Sequence, residues 1–245
     1  VSFAVDSAQL VGGAWWTAEP RPNSTTGDAP QPVFDWRRAR LRRLAAPLAP
    51  AFLRLGGSAA DEIWYDLSED PGPPPEGFDL VMTARQWDEA MRFARDLGFD
   101  VLFTLNAGPG PRDVRGAWSS TNARALMAHA AARSDPVAVW ELGNEVNAFP
   151  VIHGFTFRVS PEQYASDVRA ARSLVDELTP EARLAGPSSA YWPELGEVPQ
   201  FYESFMPLGG AALDVITWHY YPQQSRRCGL RARPASAELM QDPNA

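Results

Sequence analysis

Six short apolar runs recur along this sequence, and each gives way to small, polar or aromatic residues. They cover residues 3–6, 51–55, 101–105, 136–140, 182–186 and 213–221. Stretches of helical composition separate most of them. Strands that alternate with helices predict a parallel sheet, either a closed barrel or a doubly wound sheet. In folds of this kind the chemistry collects where the strands end, so the polar strand ends are the candidate site.

The segment after the first strand lacks a motif that is typical of nucleotide-binding doubly wound sheets. Val5 and Asp6 are followed by Gly12 and Gly13, but the Gly-x-Gly-x-x-Gly fingerprint of dinucleotide-binding sheets is missing there. The length of 245 residues is typical of one barrel domain. A barrel has eight strands, however, and about six are recognisable here. On the barrel interpretation the sequence therefore stops early.

Two helices carry specific start signals. Thr83 is predicted to be the N-cap of a helix that Gly98 ends, because a hydroxyl satisfies free N–H groups and glycine adopts the left-handed conformation. Ser160 followed by Pro161 predicts a second helix, which runs to about Leu178. These signals fix the position of two helices between the predicted strands.

Composition excludes several classes of protein. The net charge of -8 argues against a nucleic-acid partner, because phosphate binding needs a basic surface. Cys228 is the single cysteine, which excludes an intrachain disulfide framework and a cysteine-based zinc site. No run of 18 apolar residues is present, so no membrane span is expected. The sequence shows no leader, and we expect a secreted or periplasmic protein whose leader has been removed.

The strongest candidate for chemistry is the stretch Trp140–Asn147, with the sequence Trp-Glu-Leu-Gly-Asn-Glu-Val-Asn. Gly143 ends an apolar strand, so Asn144 and Glu145 are predicted to lie where a parallel strand leaves the sheet. Glu141 lies inside that strand, about 13 Å from Glu145 if the segment is extended. That separation is too large for the paired carboxyl groups of a glycosidase. A carboxylate partner for Glu145 must therefore come from elsewhere.

Other strand ends offer carboxylates and one imidazole. Asp6 ends the first strand, Asp61 and Glu62 follow the second, and His219 lies near the end of the sixth. A metal site would need more ligands, and the two remaining histidines, His129 and His153, lie at no convincing ligand spacing. We therefore expect neither a metal nor a cofactor.

Hydroxyl groups and aromatic rings complete the list of candidates. A serine nucleophile has little support, because Ser188 and Ser189 follow Gly186 and Pro187 without a Gly-x-Ser-x-Gly elbow. Several tryptophans together would suit the apolar faces of sugar rings. Those predicted in or near the face formed by the strand ends are Trp15, Trp16, Trp64, Trp118, Trp192 and Trp218.

Three stretches together resemble a known family. The motif Trp140–Glu145 is similar to the acid/base strand of retaining glycoside hydrolases with a (β/α)8 barrel, in which Asn-Glu closes the fourth strand. Pro50–Ser58 and Val215–Tyr221 resemble the second and sixth strands of glycoside hydrolase family 79, the heparanase and β-glucuronidase family. The sequence is therefore identified as a bacterial-type member of that family. The resemblance implies an α/β fold, a TIM barrel of which residues 1–245 supply about strands one to six.

The resemblance also implies roles for individual residues. Glu145 would be the general acid/base, which protonates the leaving oxygen and then activates water. Asn144 would hydrogen-bond the sugar 2-hydroxyl, a contact that strengthens in the transition state. Substrate binding and the lining of the site are implied for Asp6, Ser58, His219 and Tyr221.

The family's nucleophile is a glutamate at the end of a seventh strand, for which this sequence has no counterpart. We therefore expect one piece of a divided polypeptide, active only with a second chain that supplies the nucleophile, strands seven and eight and a β-sandwich. An open six-stranded arc would leave two sheet edges exposed. The implied activity is hydrolysis of β-linked glucuronic acid in oligosaccharides or polysaccharides, by a β-glucuronidase or heparanase-like enzyme. The alternatives are a non-catalytic carbohydrate-binding barrel and a barrel enzyme of another chemistry.

Overall fold

A computed structural model describes residues 2–16, 28–30, 32–191, 196–197, 200–221, 236 and 238. Trp192 and Cys228, singled out above, lie outside these residues. The strands of the main sheet are β1 (Phe3–Asp6), β2 (Ala51–Gly56), β3 (Phe99–Leu105), β4 (Val137–Leu142), β5 (Arg183–Tyr191) and β6 (Val215–Tyr220).

The six strands lie in the sheet in the same order as in the chain, and every neighbouring pair is parallel. Asp6 pairs with Gly56, and Leu105 pairs with Leu142, so the carboxyl ends of successive strands meet along one edge. Sequential parallel strands joined through helices are the arrangement of a (β/α)8 barrel. The prediction of a partial barrel with strands one to six is confirmed.

Helices and short ribbons connect these strands. The helices of the described residues are α1 (Ser7–Val11), α2 (Ala39–Ala45), α3 (Ala84–Leu97), α4 (Thr121–Ala132), α5 (Phe149–Ile152), α6 (Pro161–Leu178) and α7 (Phe201–Gly209). Two-stranded ribbons pair Ala14–Trp16 with Asp28–Pro30 and Ile63–Asp66 with Leu80–Thr83. Short 3-10 turns cover Ala46–Leu48, Ser58–Glu62, Val146–Ala148 and Gly210–Ala212. None of the helices within the described ranges is long and apolar enough to cross a bilayer.

Both predicted helix starts are confirmed. Thr83 caps α3 by accepting the N–H of Gln86, whose side chain in turn accepts the N–H of Thr83. Gly98 ends this helix with a φ of 76°. Ser160 caps α6 by accepting the N–H of Gln163, with proline at the first helical position. Local side-chain chemistry therefore sets these termini.

The outer face of the sheet forms an apolar core with the helices. Trp87 of α3 packs against Phe103 of β3, with ring centroids 5.0 Å apart, and lies parallel to Trp140 of β4 at 6.2 Å. Tyr164 of α6 contacts Phe205 of α7 at 5.0 Å. All five side chains are fully or almost fully buried. Each such burial stabilises the fold by roughly 1.5–3 kcal/mol.

The inner face of the sheet is polar, because side chains alternate between the two faces of a strand. Arg54 of β2, Thr104 of β3 and Glu141 of β4 point to this face, where they contact one another. Ser188 of β5 joins them. The same strands that bury aromatic rings on the outside therefore present charged and hydroxyl groups inside, close to the carboxyl edge.

Strand β5 extends further than the sequence indicated. The apolar run ends at Gly186, and Pro187 cannot donate a hydrogen bond to a neighbouring strand. The structure nevertheless continues the strand to Tyr191. The register with β6 shifts at this point, and Ser188 stands in the left-handed region with a φ of 53°. Such a bulge redirects a side chain, and here it turns the hydroxyl of Ser188 towards the inner face.

Candidate active site

The turn after β4 carries the two residues predicted for chemistry. Gly143 and Glu145 have φ values of 77° and 55°, both left-handed, and Asn144 between them is buried. The N–H of Glu145 donates to the carbonyl of Ser188 at 3.0 Å, which fastens the turn to β5. A non-glycine residue in this conformation costs roughly 1–2 kcal/mol and is held by its surroundings. The predicted position of Asn144 and Glu145 at the strand end is confirmed.

Glu145 receives its partners from β6 and the residue that follows it. The Nδ1 of His219 lies 2.9 Å from Oε1 of Glu145, and the hydroxyl of Tyr221 donates to the same oxygen at 3.3 Å. The Glu145 side chain is 15% exposed, so a ligand can reach it. Burial, followed by the charge and hydrogen bond of Glu145, raises the pKa of Tyr221 to about 12. The phenol therefore stays protonated as a donor at neutral pH.

Asn144 is held by both its backbone and its side chain. Its Oδ1 accepts from Nη2 of Arg54 at 3.0 Å, and its backbone N–H donates to Oδ2 of Asp61 at 2.9 Å. With its oxygen occupied by a guanidinium, the amide keeps its NH2 group as a donor for another acceptor. Asn144 is thus oriented before any ligand binds.

Glu141 is a structural residue of the inner face. Its Oε2 accepts from Nε and Nη2 of Arg54 at 3.0 and 2.7 Å and from Oγ1 of Thr104 at 2.7 Å. Its Oε1 accepts from the hydroxyl of Ser188. Burial acts to raise the pKa of Glu141, but the Arg54 charge and the hydrogen bonds outweigh it, and the net pKa lies below the usual range. The side chain is 1% exposed, in agreement with the prediction that it lies inside the strand.

Asp6 lies at the same edge, at the end of β1. Its Oδ1 accepts the N–H of Ala8 at 2.8 Å and so caps α1. Its Oδ2 lies against Gly57, where an added Cβ would come within 1.9 Å of it. Burial raises the pKa of Asp6 to about 6, against the opposing effects of the Ala8 hydrogen bond and the Arg54 charge. Arg54 thus influences Asp6 as well as Asn144.

Ser58 stands apart from the other predicted residues. It begins the 3-10 turn after β2, next to Gly57, and its side chain is exposed. Within the part of the chain that the structure describes, no side-chain hydrogen bond joins Ser58 to Asp6, Asn144 or Glu145. The structure therefore brings Asn144, Glu145, His219 and Tyr221 together around Arg54 and Asp6, and it leaves Ser58 at the rim.

The tryptophans near this edge differ in exposure. Trp118 is buried, with its Nε1 donating to the carbonyl of Asn106 at 2.8 Å, so it belongs to the core. Trp218 is 59% exposed and lies next to His219 in a strand, so it points to the opposite face of the sheet from His219. Trp64 packs edge-on against Phe78. These three rings do not form a sugar-stacking platform at the site.

Sequence reasoning missed three residues of this network, namely Arg54, Thr104 and Ser188. Arg54 organises the inner face, and its signal is an arginine within an otherwise apolar strand, which implies a buried carboxylate partner. Ser188 is brought into contact with Glu141 by the bulge in β5. The sequence carries no signal for that bulge, because it arises from pairing between two strands.

No group of three or more histidine, cysteine, aspartate or glutamate side chains in the described residues is placed to hold a metal ion. The side chains at this edge offer carboxyl, amide, imidazole and phenol groups. A half-exposed edge with a carboxylate, a histidine and an oriented amide can donate a proton and hydrogen-bond a polar ligand.

The sequence of this chain is similar to those of several known proteins. A sequence model described as "Glycosyl hydrolase family 79, N-terminal domain" matches residues 33–226, which include β2 to β6 and the Asn144–Glu145 turn. The chain is 31% identical to inactive heparanase-2 of Mus musculus over 245 residues, covering 74% of this chain and 40% of that protein. Heparanase of Mus musculus is 26% identical over 228 residues, covering 74% of this chain and 41% of that protein.

The chain therefore spans about 40% of the length of the curated relatives it matches. Among solved structures, an α-L-arabinofuranosidase from Thermotoga maritima superposes with a TM-score of 0.53 and 16% identity, over 77% of this chain and 40% of that one. At this identity the likeness concerns the fold, and it agrees with the barrel arrangement of the six strands.

Proposed function

Because this chain belongs to glycoside hydrolase family 79, we propose that it carries the acid/base half of the active site of a retaining glycoside hydrolase. The proposed substrate is β-linked glucuronic acid in an oligosaccharide or polysaccharide. The names of the relatives support a carbohydrate of this class, since several are heparanases or heparanase-like proteins.

The observation that carries the proposal is the environment of Glu145. This residue ends a barrel strand, is 15% exposed and has an imidazole 2.9 Å away. In the described part of the chain, the hydrogen bonds to its carboxyl group fall on Oε1, from His219 and Tyr221. We propose that Oε2 is the oxygen that donates the proton to the leaving group.

The proposed reaction uses Glu145 twice. In the first step its proton passes to the leaving glycosidic oxygen while a second carboxylate attacks the anomeric carbon and forms a glycosyl ester. In the second step the Glu145 carboxylate takes a proton from water, which attacks the same carbon and releases the sugar. The NH2 group of Asn144 is proposed to donate a hydrogen bond to the sugar 2-hydroxyl. Asp6 and Ser58 are proposed to hydrogen-bond other hydroxyl groups of the sugar.

The second carboxylate is proposed to come from elsewhere in the assembled protein. Glu141 cannot serve, because Arg54, Thr104 and Ser188 occupy its two oxygens. On the family pattern, the nucleophile is a glutamate of a seventh strand. We propose that another polypeptide segment supplies it, together with strands seven and eight and a β-sandwich.

Replacement of Glu145 by Gln in the complete protein, assembled with the segment that supplies the nucleophile, tests the acid/base role. Glutamine keeps the shape but cannot donate the proton, so kcat/KM for a glucuronide with a poor leaving group should fall about 10²–10⁴-fold. Hydrolysis of phenyl β-D-glucuronide, followed by released phenol, measures this. Glu76→Gln, at an exposed position of the loop before β3, is the matched control and should leave the rate unchanged. Unchanged turnover in Glu145→Gln would exclude Glu145 as the acid.

A second candidate function is a non-catalytic carbohydrate-binding barrel. One observation favours it, namely that a relative at 31% identity is named an inactive heparanase. The two functions separate cleanly in one pair of measurements, glucuronide hydrolysis and binding of a glucuronic-acid-containing oligosaccharide by calorimetry. Binding without hydrolysis in the complete wild-type protein, assembled with its remaining segment, would favour the second function.

A further inference from the structure

Asp61 is a buried carboxylate beneath the proposed site with no role in the chemistry described above. It lies in the 3-10 turn after β2, and its surface is fully buried. Its Oδ1 accepts the backbone N–H of Ala107 at 2.9 Å, and its Oδ2 accepts the backbone N–H of Asn144 at 2.9 Å. One side chain thus joins the turn after β2 to the first residues beyond both β3 and β4.

The bond to Asn144 fixes the backbone that carries the proposed acid. The two successive N–H groups of the turn have different partners, since that of Asn144 goes to Asp61 and that of Glu145 goes to the carbonyl of Ser188. The peptide between Gly143 and Asn144 is therefore held from the β2 side, and the peptide between Asn144 and Glu145 is held from the β5 side. Their orientation sets the direction in which the Glu145 side chain leaves the backbone.

The surroundings of Asp61 leave its position little freedom. A Cβ added to Gly108 would lie 2.1 Å from the Asp61 carbonyl oxygen. A Cβ added to Gly143 would lie 2.7 Å from a methyl group of Val146, so the turn is equally close-packed. Burial raises the pKa of Asp61 to about 7, while the Ala107 and Asn144 hydrogen bonds oppose that rise.

We propose that Asp61 is a positioning residue that aims Glu145 at the scissile bond, an inference that rests on the proposed function of Glu145. A carboxylate is suited to this task because both of its oxygens accept hydrogen bonds. Asparagine in its place would set an NH2 group against one of the two backbone N–H groups. The turn would then move, and the proton donor with it.

Leaving-group dependence in Asp61→Asn tests the proposal. Phenyl β-D-glucuronide needs a proton on its leaving oxygen, whereas the 2,4-dinitrophenyl glucuronide does not. Displacement of the Glu145 carboxyl group should lower kcat/KM for the phenyl substrate about tenfold to a hundredfold. The kcat/KM for the dinitrophenyl substrate should change less than about threefold. An equal fall for both substrates, or no fall, would overturn the proposal.

Asp66→Asn is the matched control. Asp66 also accepts two backbone N–H groups, those of Ser68 and Gly72 at 3.0 Å, but at the exposed end of the ribbon strand Ile63–Asp66. Its variant should show neither effect. Gly108→Ala keeps the Asp61 carboxylate but displaces it and should give the same selective loss. If Asp61→Asn and Gly108→Ala both fail to fold, Asp61 serves the fold and the proposal is overturned.

A structural measurement separates this proposal from the proposed function. If the complete wild-type protein hydrolyses no glucuronide, the proposed function fails, and the geometry of the Asp61→Asn protein decides the positioning role. A crystal structure in which the Glu145 carboxylate has left His219 Nδ1 would support positioning by Asp61. An unchanged contact near 2.9 Å would overturn it.

Discussion

Arg54 shows how much of the proposed site depends on single side chains. Its guanidinium binds Glu141 through two nitrogens, orients the amide of Asn144 and lowers the pKa of Asp6 against the effect of burial. Arginine suits this position because its planar fork presents several fixed donors and stays charged. The close contact between Asp6 and Gly57 is a second constraint of this kind, where the absence of a side chain makes room for a carboxylate.

Substitution of Gly57 by Ala should therefore be strongly destabilising. Gly57 has a φ of 112°, and a new Cβ would meet Asp6 Oδ2 at 1.9 Å. We expect a loss of about 3 kcal/mol or more in the free energy of unfolding, measured by urea denaturation. Gly116→Ala is the control, because its φ is 82° but open space surrounds it, and it should cost about 1 kcal/mol. Equal losses would show that Gly57 and Asp6 can move apart.

At the scale of single elements, helix α6 begins where the hydroxyl of Ser160 caps its first turn. Ser160 accepts the N–H of Gln163 at 3.2 Å, and the helix that follows carries Tyr164, whose hydroxyl donates to the carbonyl of Leu142 at 2.7 Å. That bond joins α6 to the last residue of β4, immediately before the turn that bears Glu145. The Ser160 cap therefore stabilises α6, the helix that hydrogen-bonds to the end of β4.

The cap of α6 can be measured against an uncapped helix of the same chain. Ser160→Ala should lower the free energy of unfolding by about 1 kcal/mol, because a buried or partly buried N–H loses its acceptor. Ser120 precedes α4 but makes no side-chain cap hydrogen bond, so Ser120→Ala should change stability by less than about 0.5 kcal/mol. Thermal and urea denaturation provide the values. A cost as large in Ser120→Ala would contradict the assignment of the difference to capping.

At the scale of the whole molecule, a buried polar cluster joins four strands across the interior of the partial barrel. Glu141 of β4 binds Arg54 of β2, Thr104 of β3 and Ser188 of β5. Its two oxygens thus bind side chains from three other strands of the sheet. An ion pair in this setting specifies how the strands face one another and becomes costly when one partner is removed.

A double-mutant cycle on Glu141 and Arg54 tests this view. Glu141→Leu leaves the guanidinium of Arg54 without its main partner and should cost about 3–5 kcal/mol of unfolding free energy. Adding Arg54→Met should recover part of that loss, because no unpaired charge remains. Guanidinium denaturation gives the four values of the cycle. Strictly additive losses would mean that the two side chains do not depend on each other.

Local patterns in the sequence predict the six strands of the main sheet except for the extension of β5 to Tyr191, the ends of α3 and α6, and the location of Asn144 and Glu145. These features follow from local signals, namely apolar runs, hydroxyl and glycine caps, and a glycine that ends a strand. The position of Glu141 inside its strand followed from the same reasoning. The family was recognisable because its motifs are also short and contiguous.

Which side chains meet at the site depends on the tertiary fold. His219 and Glu145 are 74 residues apart, and Arg54 and Glu141 are 87 apart, so no local pattern joins them. The bulge at Ser188 depends on the register between β5 and β6, and the role of Asp61 depends on backbone N–H groups that every residue type except proline offers. Parallel pairing gathers distant strand ends at one edge, and that gathering makes a site from residues that are separate in the sequence.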